Sequence, residues 1–342
     1  MSDMTWDMIG HEWAVDLLCE HIRRSRIQHA YLITGADGLG KRTLGLRLTQ
    51  ALCCTNPPEI GERCGECRAC RLIQSGEYPD LHVIQSETIG GQLKVEQIRE
   101  LSRQLALAPF EGKLRVALLL RFHEANENAA NALLKTLEEP ASQVVLILTA
   151  RSKEALLPTI VSRCEVIPLR QVSETEVQTA LQDRGATAQN ASLFASLADG
   201  RPGWAIRHFE DQTMLDRRAQ LLDELMELVQ STRAGRFQYL EAMLEKKDTE
   251  AQRQAALEAL DHWSSLWRDA MLSSFHADKV NLRNIDRVDD IRRLAGELET
   301  PVITHVLQEA EATRAAIERN VNVRLALETW LLDVPKLGSE VG

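Results

Sequence analysis

The chain has 342 residues, 44% of them apolar, which is enough for two or three domains with a sizeable core. Its formal net charge of −10 excludes a protein that binds nucleic acid by coating phosphates with lysine and arginine, so any such contact is expected to be local or shared with partners. No apolar run approaches the ~20 residues of a membrane span, and Met1-Ser2-Asp3-Met4-Thr5-Trp6-Asp7 lacks the basic-then-apolar order of a signal peptide, so the expected address is cytoplasmic, with no membrane partner.

Through about residue 170, short apolar runs alternate with helical patterns, as in a parallel sheet with crossover helices. Strands are expected at 31–34, 81–85, 116–120, 144–148 and 166–168, and helices at 12–24, 43–52, 95–107 and 126–137. A small helical segment is expected to follow, to about residue 209, punctuated by Gly185 and Gly200-Arg201-Pro202-Gly203. From Asp211 the strand signals stop. Leu257, Leu260, Trp263, Trp267, Ala270 and Met271 recur at three- and four-residue steps, so the tryptophans are read as core or interface packing. Thr300-Pro301 reads as an N-cap followed by proline at the first helical position. Residues 210–342 carry 17 basic and 25 acidic side chains, a balance that repels DNA.

Gly35-Ala36-Asp37-Gly38-Leu39-Gly40-Lys41-Arg42-Thr43 lies between the first strand and a helix, the context of a phosphate-gripping loop. Backbone N–H groups freed by Gly35 and Gly40, the helix N-terminus and the Lys41 charge could together hold a nucleotide. The position that should offer a magnesium-binding hydroxyl holds Arg42, and Thr43 is rotated about 100° away by one helical step. The strand 116–120, which should end in an acid for the metal, ends in Leu120-Arg121. Hydrolysis by this chain is therefore not expected, whereas ATP or ADP binding by its own loop stays open. A self-sufficient ATPase would have to recruit Asp37 or Glu124.

Cys64, Cys67 and Cys70 form a C-x₂-C-x₂-C array. That spacing suits tetrahedral zinc, with Cys54 as fourth ligand and Cys53 as the alternative, in a structural module at about 54–79. An iron–sulfur cluster would add a Cys-Pro pair that Arg71-Leu72-Ile73-Gln74 does not supply. The neighbouring Arg63, Arg68 and Arg71 allow a zinc-dependent DNA-binding module, which the acidic balance opposes. Cys19 and Cys164 stand apart and are read as core residues.

Several blocks together resemble the bacterial clamp-loader subunits of the AAA+ class: Ile9-Gly10-His11, His29-Ala30-Tyr31-Leu32, the glycine loop, the cysteine module, Asn131-Ala132-Leu133-Leu134-Lys135-Thr136-Leu137-Glu138-Glu139-Pro140 and Ser162-Arg163-Cys164. The resemblance covers about the first 210 residues. It implies an α/β AAA+ P-loop domain (1–170), a small helical lid (171–209) and an all-α collar (210–342). It also implies a five-subunit ring with gamma or tau and delta subunits, which opens a sliding clamp and places it on primer–template DNA using ATP held between subunits. Arg163 would then reach into a neighbour's nucleotide site as a catalytic group acting in trans. Active relatives carry Thr after the P-loop lysine, Asp-Glu closing the acid-bearing strand and an arginine in the lid. Here those places hold Arg42, Leu120-Arg121 and the Gly200-Arg201-Pro202-Gly203-Trp204 region, where Arg201 and Arg207 flank the expected position and leave the lid match open; the departures point to a non-hydrolysing member, with an ATP-hydrolysing gamma or tau type as the alternative.

Overall fold

The computed structural model describes residues 6–86, 91–211, 213–245, 248–275, 281–319 and 321–338. All five expected strands form: β1 (Ala30–Thr34), β2 (Leu81–Ile84), β3 (Arg115–Leu119), β4 (Val144–Ala150) and β5 (Glu165–Pro168). They pair in parallel in the order β2-β3-β4-β1-β5, with Ala30 opposite Leu146, Val116 opposite Val145 and Tyr31 opposite Glu165. β1, β3 and β4 are buried along their whole length, which is why they read as unbroken apolar runs.

Alternate residues of each strand serve opposite faces. Tyr31, Ile33, Val116, Leu118, Val145 and Ile147 pack with apolar residues of α1 (Glu12–Arg23), α2 (Lys41–Cys53) and α3 (Arg68–Ser75). Leu32, Ala117, Leu119, Leu146 and Leu148 pack on the other side with residues of α4 (Val95–Leu105), α5 (Glu127–Glu138) and the short α6 (Pro158–Val161). In an open parallel sheet, ligands bind beyond the carboxyl ends of the strands where the connections diverge. Here the loops after β1, β3 and β4 lie at that end.

The contacts divide the chain into two compact units, residues 1–180 with 200–205, and residues 181–199 with 206–342. The segment expected as a separate lid, 171–209, is shared between them. It contains α7 (Glu174–Gln182), α8 (Ala188–Ala198) and α9 (Pro202–Glu210).

The described residues after 212 form the expected helices and no strand: α10 (Thr213–Leu228), α11 (Arg233–Leu244), α12 (Thr249–Ser274), α13 (Val288–Glu297), α14 (Thr300–Glu318) and α15 (Val323–Asp333). The tryptophans are core residues here. Trp263 stacks on Trp330 with centroids 5.3 Å apart, and their indole N–H groups donate to Leu221 O at 2.8 Å and Val306 O at 3.1 Å. Arg218, almost fully buried, donates to Asp286 and Asn284, and Arg236 satisfies carbonyls of Leu228, Leu331, Val334 and Pro335 near helix ends. The start of α14 differs by one residue from the sequence reading. Glu299 is the N-cap, without a side-chain bond, and Thr300 is already helical. Proline is tolerated throughout a first helical turn because the N–H it lacks would have no intrahelical partner there, so it does not fix which neighbour caps.

Candidate functional site

Three groups of residues from the sequence reading stand out: the glycine loop, the cysteine cluster and the Ser162-Arg163-Cys164 corner. β1 ends at Thr34, and Gly35, at φ 139°, leads the chain from the strand into the glycine loop. A Cβ there would come within 2.7 Å of Leu169 O, so only glycine fits. Gly35 N–H is held by the carbonyls of Ala150 and Arg151. At the loop tip, Gly38 O accepts from Gly203 N at 2.8 Å, and a Cβ on Gly38 would meet Trp204 backbone and side-chain atoms at 3.1 Å. The first residues of α9 thus rest directly on the loop. Arg201 lies over the Trp204 ring, 5.6 Å from its centroid.

Lys41 opens α2 and is 8% exposed. Its ammonium donates to Gly35 O at 2.5 Å, Ala36 O at 2.8 Å and Asp37 Oδ1 at 3.3 Å, so all three donors have acceptors within the loop. Asp37 also meets Arg151 Nε at 3.3 Å. Burial pushes the Lys41 ammonium down, with Asp37 opposing. Burial would raise the Asp37 carboxyl, but Lys41 and Arg151 outweigh it and hold it below the usual range. Arg42 and Thr43 are both exposed.

Beyond β3, Arg121 adopts a left-handed conformation, φ 48°, with its N–H on Thr149 Oγ1 at 2.9 Å. Its Nε donates to both Glu124 oxygens, at 2.9 and 3.0 Å, and Ser86 Oγ also donates to Glu124. Both acids considered for a self-sufficient ATPase are therefore engaged by cations of this chain, Asp37 by Lys41 and Arg151, and Glu124 by Arg121. Sequence reasoning had no access to these pairs. The local signals were the four-residue spacing of Asp37 and Lys41 and the three-residue spacing of Arg121 and Glu124.

The thiols of Cys54, Cys64, Cys67 and Cys70 converge, all within 4.8 Å of one another. Cys54 Sγ is 3.5 Å from Cys64 Sγ and 3.9 Å from Cys67 Sγ. A tetrahedron of ~2.3 Å metal–sulfur bonds has edges of about 3.8 Å, so the cluster fits a four-coordinate ion. The local backbone brings the thiols together. Gly65, at φ 73°, curls the chain between Cys64 and Cys67, and backbone N–H groups of Cys64, Cys67 and Cys70 point at Cys54, Cys64 and Cys67 sulfurs at 3.2–3.4 Å. Cys67 is the N-cap of α3. Burial opposes its ionisation, yet the N–H groups of Cys70 and Thr55 outweigh that and draw the thiol down to about 6. Cys53 takes no part; it ends α2 in the core near Tyr78, where burial pushes its thiol up to about 12. Cys19 is fully buried and donates to Gly61 O, while Cys164 is half-buried and likewise pushed up to about 12 by burial.

Arg163 lies at the corner between α6 and β5. Its Nη1 donates to Thr159 O and its Nη2 to Glu138 Oε1, both at 2.8 Å, with the side chain 35% exposed. Glu138 ends α5, inside the Leu137-Glu138-Glu139-Pro140 block. The two motifs thus meet in space, a contact that their separation of 25 residues concealed. No helix among the described residues is long and apolar enough to cross a membrane.

Comparison with known families bears on the whole chain. The profile described as "DNA polymerase III, delta subunit" matches residues 10–173, and "DNA polymerase III, delta subunit, C terminal" matches residues 212–336. The delta-prime subunit of DNA polymerase III from Pseudomonas aeruginosa is 36% identical over 223 residues, 64% of this chain and 67% of that protein. The delta-prime subunit from Escherichia coli K12 is 30% identical over 284 residues, 82% of this chain and 80% of that protein. The chain belongs to the delta-prime family of DNA polymerase III subunits. It is a clamp-loader subunit with a parallel-sheet AAA+ domain and a helical C-terminal domain, as the motifs implied. The tau subunit of Escherichia coli K12, 34% identical, matches only 179 residues, 52% of this chain and 27% of that protein. The 284-residue likeness to the delta-prime subunit necessarily extends into the helical third.

Proposed function

We propose that this delta-prime chain is the non-hydrolysing member of a clamp-loader ring and lends Arg163 in trans to the ATP site of a neighbouring subunit. Its partners in this reading are gamma or tau and delta subunits, with the sliding clamp and primer–template DNA reached through the complex. The supporting observation is the pairing of the two acids near its own loop. Asp37 and Glu124 are each held by cations, whereas Arg163 sits at a partly exposed corner with its fork held at two points. A planar guanidinium is suited to charge spreading over γ-phosphoryl oxygens, a contribution worth roughly 10³–10⁵ in rate. We further propose that the four-cysteine cluster holds zinc in a structural role, with Cys54, Cys64, Cys67 and Cys70 as ligands. Bound there, the ion would supply the cross-link that fixes the 54–67 loop to α3.

The test is reconstitution with gamma or tau and delta subunits, followed by clamp- and DNA-stimulated ATPase. The isolated chain is expected to show no turnover, and Arg163→Ala to lower the ATPase of the assembled complex without preventing assembly. Turnover by the chain alone that disappears in Lys41→Ala, or full complex activity with Arg163→Ala, would overturn the proposal.

A further inference from the structure

The Arg163 side chain does not stand free, and what holds it is specific. Nη2 donates to Glu138 Oε1 and Nη1 to Thr159 O, each at 2.8 Å, so the guanidinium is tied at two of its five N–H groups and over a third of the side chain remains exposed. One anchor is a main-chain carbonyl in α6, fixed by the fold. The other is a carboxylate at the last residue of α5, a helix whose Leu133 and Leu137 are locked into the sheet core. The C-terminus of a helix is not where the dipole favours a carboxylate, so helix stability does not account for an acid at this position. Nor does burial, because Glu138 is half exposed.

Resting on the reading of Arg163 given above, we propose that Glu138 is the positioning residue for that arginine. An unheld arginine has rotamer freedom that must be lost whenever it engages a phosphoryl group. Glu138 and the Thr159 carbonyl restrict that freedom in advance and aim the unused N–H groups outward. The carboxylate acts through Arg163 and touches no substrate. A solvent-screened pair of this kind has a modest strength, so its loss slows the reaction by roughly two- to fivefold, well short of the loss of the arginine itself.

The experiment uses the reconstituted complex with gamma or tau and delta subunits, with clamp and primed DNA present. ATPase kcat and KM are measured for Glu138→Ala, Glu138→Gln, Arg163→Ala and Glu138→Ala/Arg163→Ala. Positioning predicts that Glu138→Ala lowers kcat two- to fivefold with KM unchanged, and that Glu138→Gln, which keeps an acceptor oxygen, recovers most of it. In the Arg163→Ala background, removal of Glu138 has no further effect. A Glu138→Ala defect that persists in that background, or a rate that rises, overturns the inference. If Arg163→Ala is itself without effect, the parent reading has failed; if Arg163→Ala is impaired and Glu138→Ala is normal, this inference alone has failed.

Discussion

Asp80 precedes β2. It is fully buried and accepts from three consecutive backbone N–H groups, Phe110 at 2.6 Å and Glu111 and Gly112 at 2.8 Å, with Arg115 Nε 3.9 Å away. Asp80→Asn keeps the shape and removes the charge. With the amide oxygen turned to Glu111 and Gly112, the amide nitrogen faces the Phe110 N–H, donor against donor. Orphaning that N–H costs about 1–3 kcal/mol, and the two surviving bonds each lose about 1 kcal/mol of charge assistance. A loss of about 3–5 kcal/mol is expected, concentrated in the 106–114 turn. Urea unfolding of the isolated chain measures the total, and amide exchange at 110–112 localises it. The pH dependence gives a second check. Burial alone would raise the Asp80 carboxyl, but the three N–H groups and Arg115 outweigh it and hold it below its ordinary 3.8. The folded value is therefore the lower one, so the stabilisation is present above about pH 4 and is lost as pH falls through the folded value. Asp80→Asn should lack this acid-side loss. A variant less than 1 kcal/mol weaker, with unchanged exchange at 110–112, would refute the reasoning.

Three further outcomes follow from the geometry. Cys54→Ser should abolish stoichiometric zinc retention in native mass spectrometry and Cys53→Ser should leave it intact; the reverse pattern would make Cys53 the fourth ligand, and full retention in both variants would count against the cluster as the metal site. Gly38→Ala should destabilise the loop by about 1–3 kcal/mol, read as faster amide exchange at 36–41, because φ 87° and the 3.1 Å approach of Trp204 both oppose a Cβ; unchanged exchange would remove the contact from consideration. His262 is pushed down to about 4, chiefly by burial and then by Arg218. The unfolded chain thus binds a proton first as pH falls below about 6.5, so stability of the helical unit should decline between about pH 6.5 and 4, by at most ~3 kcal/mol. His262→Gln should flatten that window, and an unchanged pH profile would count against it.

Much of the fold was legible because its signals are local. A buried parallel strand must be apolar on both faces, so β1, β3 and β4 announced themselves, and the helices around them followed from three- and four-residue spacing. The cysteine cluster was legible for the same reason, since three of its four members lie on one knuckle. The choice of Cys54 over Cys53 depended on which way a side chain leaves the end of α2, which spacing does not encode. What stayed hidden were pairings across the chain. Glu138 with Arg163, Asp37 with Arg151 and Asp80 with residues 110–112 each join residues separated by 25 or more positions, and each depends on loops whose backbone the sequence pattern leaves undetermined. The shared assignment of 171–209 was hidden too, because helical patterning marks elements and not which core they join.

These hidden pairings also account for how a P-loop can keep its shape without the parts that use a nucleotide. A lysine at the mouth of such a loop is a buried cation, and burial of an unpaired charge is costly. In a nucleotide-binding site, phosphate oxygens can provide the compensation. Here Lys41 spends its donors on Gly35, Ala36 and Asp37, and Asp37 in turn carries Arg151. Where a hydrolase presents a metal-binding acid after the third strand, this chain presents Arg121 and ties it to Glu124. Phosphate binding would have to break at least part of the first network before gaining anything from the lysine. The retained loop is thus neutralised largely from within, and in the proposed reading the cation that acts on a nucleotide is Arg163, partly exposed at the corner between α6 and β5.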